Sequence, residues 1–182
     1  MAIILLFNTY RWQIGGSMNK IIFLDIDGVL NSNQYWASIQ DRKKTMPEME
    51  FQLDPKCLRN LKKIVDETHS KIVVTSTWKR IKDHIDKFKN HISQYGLYVY
   101  DLAPCHPDGA IHRGDEIRQY LEEHKGEVDK FILLDDDEFP DFNELKEHWV
   151  KTSFYKGGLG KEQVEESIQR LGRVRKTEEI ER

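Results

Sequence analysis

Short apolar runs recur along this chain, and most are followed by a segment with helical spacing. "KIIFLDI" (20–26), "KIVVTS" (71–76), "LYVYDL" (97–102) and residues 131–134 read as buried strands, with "HWVKTS" (148–153) as a short fifth. After the first strand and a polar, irregular stretch (31–52), Asp54 is a good N-cap and Pro55 suits the first helical position. Leu58, Leu61, Ile64 and Val65 then share one helical face. Trp78, Ile81, Ile85, Phe88 and Ile92 repeat at helical spacing, and Gly96 ends that segment. Ile117, Tyr120 and Leu121 mark a third helix, and "GGLG" is a turn before a closing helix. Such alternation predicts an α/β fold, Rossmann-like, with a mostly parallel central sheet and helices on both faces.

The chain ends are read separately. The chain has 182 residues, enough to bury a core without a disulfide or metal staple. Residues 1–17 hold an apolar run too short to span a bilayer, then Gly15-Gly16-Ser17 before a second methionine, Met18. They read as a non-native leader or a mis-called start, with an edge strand as the alternative. The domain is placed at 18–172, and residues 173–182 as a charged tail. Cys57 and Cys105 form no CxxC pair, which predicts a reducing, cytoplasmic setting and no zinc site, and no apolar run elsewhere reads as a transmembrane segment. A net charge of −3 argues against a strongly basic nucleic-acid domain but leaves room for a local basic patch.

The strands end in chemistry. Asp25 and Asp27 close the first strand before Gly28, Thr75-Ser76-Thr77 close the second, and Asp135-Asp136-Asp137 close the fourth. Ligands of open α/β sheets bind at the carboxyl ends of strands, so these clusters meet if the strands are neighbours. Carboxylates brought together call for a cation, and hard oxygen donors favour Mg²⁺ over zinc. The cation would bring a phosphate to the first strand, where one aspartate attacks phosphorus and the other moves the leaving-group proton.

"DIDGVLN" resembles the DxDG(T/V)L first motif of the haloacid dehalogenase (HAD) superfamily of phosphohydrolases. "KIVVTS" is similar to its second motif and "FILLDDD" to its fourth, over roughly residues 18–171. The resemblance implies that Asp25 is the nucleophile of an aspartyl-phosphate mechanism and Asp27 the general acid and base. It implies that Ser76 holds the phosphoryl group, with Thr77, Lys79 and Arg80 as further substrate contacts. Mg²⁺ would be held by Asp25, the Asp27 carbonyl, Asp135 and Asp136. Arg113, Lys79 and Arg80 all remain open as the charge-offsetting cation. Asp27 points away from dehalogenation and towards phosphoryl chemistry.

The stretches 31–52 and 102–113 are too short for a large cap, so the site is expected to be open. "TSTWK", "LDDD" and the downstream segment from Val150 are similar to HAD domains of RNA-repair and polynucleotide phosphatases. The expected activity is therefore a Mg²⁺-dependent phosphomonoesterase acting on a nucleic-acid end or a nucleotide. The alternatives are a phosphoprotein or small-metabolite phosphatase, and a binding module without turnover. A receiver-like signalling domain fits poorly, because its phospho-acceptor should end a middle strand. Trp78 is expected to be a core residue, His106 and His112 ordinary loop residues, and "DRKKT" a solvated face.

Overall fold

The computed structural model describes residues 19–174; the leader expected at 1–17 and most of the charged tail lie outside them. Among these residues five strands form one sheet: β1 (Asn19–Leu24), β2 (Lys71–Val74), β3 (Val99–Leu102), β4 (Val128–Asp135) and β5 (Trp149–Lys151). Their order is β3-β2-β1-β4-β5, and every pairing is parallel. Leu24 stands opposite Val74 on one side and Leu134 on the other. The chain winds outward from β1 to β3, then returns to β4 and β5. The order therefore reverses beside β1, where such sheets open a crevice for ligands.

The α-helices among the described residues are α1 (Asn33–Ser38), α2 (Glu48–Gln52), α3 (Pro55–Thr68), α4 (Lys82–Ser93), α5 (Arg113–Glu123) and α6 (Lys161–Leu171). Side chains alternate across β1. Ile22 and Leu24 pack with Leu61 of α3, Phe88 of α4 and Ile168 of α6, while Ile21 and Phe23 pack with Ile117 and Tyr120 of α5. The Asp54 side chain caps α3 by accepting the Lys56 amide at 2.7 Å, with Pro55 at the first position. No helix among the described residues is long and apolar enough to cross a membrane.

Two expectations need correction. The helix predicted from Trp78 is broken: residues Thr77–Arg80 form a 3-10 turn, Ile81 is extended, and α4 starts at Lys82. Ile81 is 50% exposed rather than inward. The turn is pulled out of line because Lys79 and Arg80 both reach Glu116 of α5. The stretch 31–52 is not irregular but carries α1, a 3-10 turn (Gln40–Thr45) and α2. These pieces are too short to show a repeated apolar period. They form a small flap in which Trp36 packs edge-on against Phe154 at 5.2 Å, and no large cap is present among the described residues.

Candidate active site

The sheet carries Asp25 one residue past β1. The ladder continues there, with the Asp25 amide donating to the Leu134 carbonyl and the Thr75 amide to the Leu24 carbonyl, both at 2.9 Å. By strand alternation Asp25 shares the face of Ile21 and Phe23, which is covered by α5. Arg113, the first residue of α5, meets it there. Its Nη2 lies 3.1 Å from Asp25 Oδ1, and its Nε lies 3.5 Å from Asp135 Oδ2. These are charge contacts without hydrogen-bond alignment, since Asp25 Oδ1 and Arg113 Nε and Nη1 are buried and have no hydrogen-bond partner. Arg113 also lies over the Phe139 ring, 5.1 Å from its centroid. The start of α5 is fixed by contact: a Cβ at Gly114 would come 2.1 Å from the Asp141 carbonyl oxygen.

Asp25, Asp135 and Asp136 each offer a carboxylate oxygen, all within 4.8 Å of one another. Burial raises the Asp25 carboxyl from 3.8 to about 6, opposed by Arg113 and reinforced by Asp27 and Asp136, while a hydrogen bond from Ser76 lowers it. Burial and the Asp25 charge push Asp135 well above its usual value, and burial and Asp137 raise Asp136. Asp136 also accepts the Phe154 amide, at 3.4 Å. Three crowded carboxylates and an orphaned buried oxygen fit a divalent cation with oxygen ligands.

Asp27 is held differently. Its two oxygens accept from the Asn31 side-chain Nδ2 at 2.8 Å and from the Trp78 indole N–H at 2.9 Å. Asn31 Oδ1 in turn accepts the Gly28 amide at 2.9 Å. Gly28 has φ +69°, and a Cβ there would sit 2.0 Å from the Asp136 carboxylate carbon. No side chain fits between the two acidic segments. Sequence reading missed Asn31 and took Trp78 for core. Trp78 does pack on Phe88, edge-on at 6.3 Å, but its N–H faces the site. The Trp immediately after the Thr75-Ser76-Thr77 cluster was the available signal.

Asp25, Asp27, Gly28, Thr77, Arg113 and Asp136 line an open cavity of about 360 Å³, whose other walls include Phe139, Phe154 and Tyr155. Ser76 is buried beside Asp25, and its hydroxyl accepts the Trp78 amide at 3.5 Å. Lys79 and Arg80 do not line this cavity. Lys79 Nζ is buried against Glu116 (2.7 Å) and the Pro104 carbonyl (3.0 Å). Arg80 donates to Glu116 at 3.0 Å and to the carbonyls of Gly109 and Ala110. Of the three cations left open by the sequence, Arg113 is the one beside the aspartates. His106 and His112 both lean on Asp108, at 2.8 and 2.9 Å.

Comparison with known proteins fits this arrangement. No curated protein and no solved structure gives a significant match. A family profile described as the HAD domain in Swiss Army Knife RNA repair proteins matches residues 21–164, from β1 through the first residues of α6. This span covers most of the chain, and the protein belongs to that family of HAD domains.

Proposed function

We propose that this protein is a Mg²⁺-dependent phosphomonoester hydrolase that works through an aspartyl-phosphate on Asp25. The observation that carries the reading is the meeting of Asp25, Asp135 and Asp136 within 4.8 Å beside the Arg113 guanidinium. Asp25, Asp135 and Asp136 would hold the cation, joined by the Asp27 carbonyl as the family resemblance implies. When bound, Mg²⁺ offsets their charge and that of the phosphate.

Asp25 attacks phosphorus, and the ester P–O bond breaks as Asp27 gives its proton to the leaving oxygen. Water then attacks the phosphoryl group, Asp27 takes a proton from it, and Asp25 is regenerated. Arg113 offsets charge next to Asp25, Ser76 and Thr77 face the phosphoryl oxygens, and Trp78 and Asn31 hold Asp27 in position. Lys79 and Arg80 act on structure rather than on substrate.

For substrate, the reading is a phosphorylated nucleic-acid end. It is supported by the RNA-repair description of the family, by the lack of a large cap among the described residues, and by the aromatic walls at Phe139, Phe154 and Tyr155. Cys57 and Cys105 are both free thiols, in keeping with a reducing, cytoplasmic setting.

The test is hydrolysis of p-nitrophenyl phosphate with Mg²⁺ and with EDTA, in the parent protein and Asp25→Asn. Metal-dependent turnover that disappears in Asp25→Asn is expected. Turnover that survives the substitution would overturn the mechanism, and a folded parent inert on every phosphomonoester offered would favour a binding module.

A further inference from the structure

A second cavity, of about 550 Å³, opens next to the first. Its walls include Lys151, Thr152, Lys156 and the first turn of α6, from Lys161 to Gln163. Two independent features there point to an anion.

The first is the start of α6, an eleven-residue helix. The earliest bond inside it is donated by the Val164 amide to the Gly160 carbonyl, so the amides of Lys161, Glu162 and Gln163 have no partner within the helix. Gly160, at the N-cap, has no side chain to cap them. A helix N-terminus with free amides attracts negative charge.

The second is Thr152. It is 2% exposed, it lines the cavity, and its Oγ1 is buried without any hydrogen-bond partner. A buried hydroxyl left unsatisfied costs stability unless something arrives to bond it. Its backbone is fixed, because the Thr152 amide donates to the Asp135 carbonyl at 3.1 Å. Thr152 is thereby tied, through its backbone, to the strand end that carries Asp135.

The surrounding charge suits an anion. Lys151, Lys156 and Lys161 gather here on a chain whose net charge is −3. Lys161 pairs with Glu165 at 3.7 Å, exposed to solvent, a weak contact that an anion can displace. Glu162 adds one acid to the wall, but it is exposed and can turn away. The glycine turn before α6 is anchored to the first acidic loop: the Leu159 amide donates to the Val29 carbonyl at 2.8 Å. Both cavities are therefore built on one frame.

The wall between them is the 3-10 turn Phe154–Lys156. Phe154 and Tyr155 line the first cavity, and Lys156 lines the second. Tyr155 is 73% exposed, an aromatic face offered to whatever crosses the wall.

We infer that the N-terminus of α6, Thr152 and the lysines around them form a second phosphate site, which holds a backbone phosphate of the strand whose end lies at Asp25. This rests on the nucleic-acid reading proposed above. It goes further, since it separates a strand from a mononucleotide or phosphopeptide, neither of which carries a following backbone phosphate. A base stacked on Tyr155 bridges the two sites.

The experiment compares kcat/KM for a short single-stranded oligonucleotide, phosphorylated at either end, with kcat/KM for p-nitrophenyl phosphate. The variants are Thr152→Val, Thr152→Ser and Lys156→Ala/Lys161→Ala, each checked by its melting curve. The oligonucleotide-to-nitrophenyl ratio is expected to fall on the order of tenfold in the lysine pair, with a flatter salt dependence. It should also fall in Thr152→Val and recover in Thr152→Ser, which keeps the hydroxyl. An unchanged ratio overturns the site. Equal losses on mononucleotide phosphates overturn its assignment to a strand.

Anisotropy of a labelled oligonucleotide on Asp25→Asn, with and without the lysine changes, reads binding apart from turnover. If no variant or parent hydrolyses anything but the lysine changes still weaken binding, the hydrolase reading fails and the second site stands.

Discussion

Asp25 links the proposed chemistry to stability. Its carboxyl is raised from 3.8 to about 6, chiefly by burial, so the folded protein holds the proton more tightly than the unfolded chain. In metal-free protein its contribution is fully present below the unfolded value and is lost as pH rises through about 6. Asp25→Asn should therefore raise the urea stability of EDTA-treated protein at neutral pH, by roughly 1–3 kcal/mol. It should also flatten the decline between acid and neutral pH; an equal decline in both proteins would contradict the assignment. Trp78 offers a second test. Trp78→Phe keeps an aromatic ring against Phe88 but removes the N–H that holds Asp27 at 2.9 Å. The expected result is a loss in kcat of about tenfold with little change in KM, because a positioning bond is lost and not a substrate contact.

At the level of elements, α5 is the part on which the site depends. It delivers both Arg113 and Glu116 from its first turn. Burial pushes the Glu116 carboxyl up, but the hydrogen bond and charge of Lys79, with the His106 amide and Arg80, outweigh this and hold it below its usual value. Lys79 and Glu116 side chains are each 2% exposed, so removing one strands the other's charge. Glu116→Ala should cost about 3–5 kcal/mol in urea unfolding. Lys79→Met/Glu116→Leu should recover most of it, since neither charge is then buried alone. Failure of the double variant to recover would show that Arg80 and the 104–112 loop carry the cost. The same network explains the broken helix after β2: a regular turn there would swing Lys79 and Arg80 off Glu116.

Over the whole molecule, the layer of α3, α4 and α6 forms the larger core, and Cys57 is fully enclosed in it. Burial pushes its thiol up to about 12, while Cys105 is exposed. A thiol reagent at neutral pH should label Cys105 rapidly and Cys57 only at the rate at which the core opens. Fast labelling of both would mean that the α3 layer opens on its own.

Much of this protein was legible before any coordinates. The apolar runs marked the strands, although β5 is only three residues long. The cap at Asp54 marked α3, and the acidic strand ends marked Asp25, Asp27, Asp135 and Asp136. Such features are written in consecutive residues, because backbone sterics and side-chain periodicity act locally. Other features are not local. That β1 lies between β2 and β4, that Arg113 rather than Lys79 or Arg80 reaches the aspartates, and that the Trp78 N–H faces Asp27 were decided by tertiary packing. So was the cavity where Thr152 meets the start of α6. The physical reason is that a charge finds its partner only once the sheet order is set: Glu116 claims two of the three cations, and the third is left for Asp25 and Asp135.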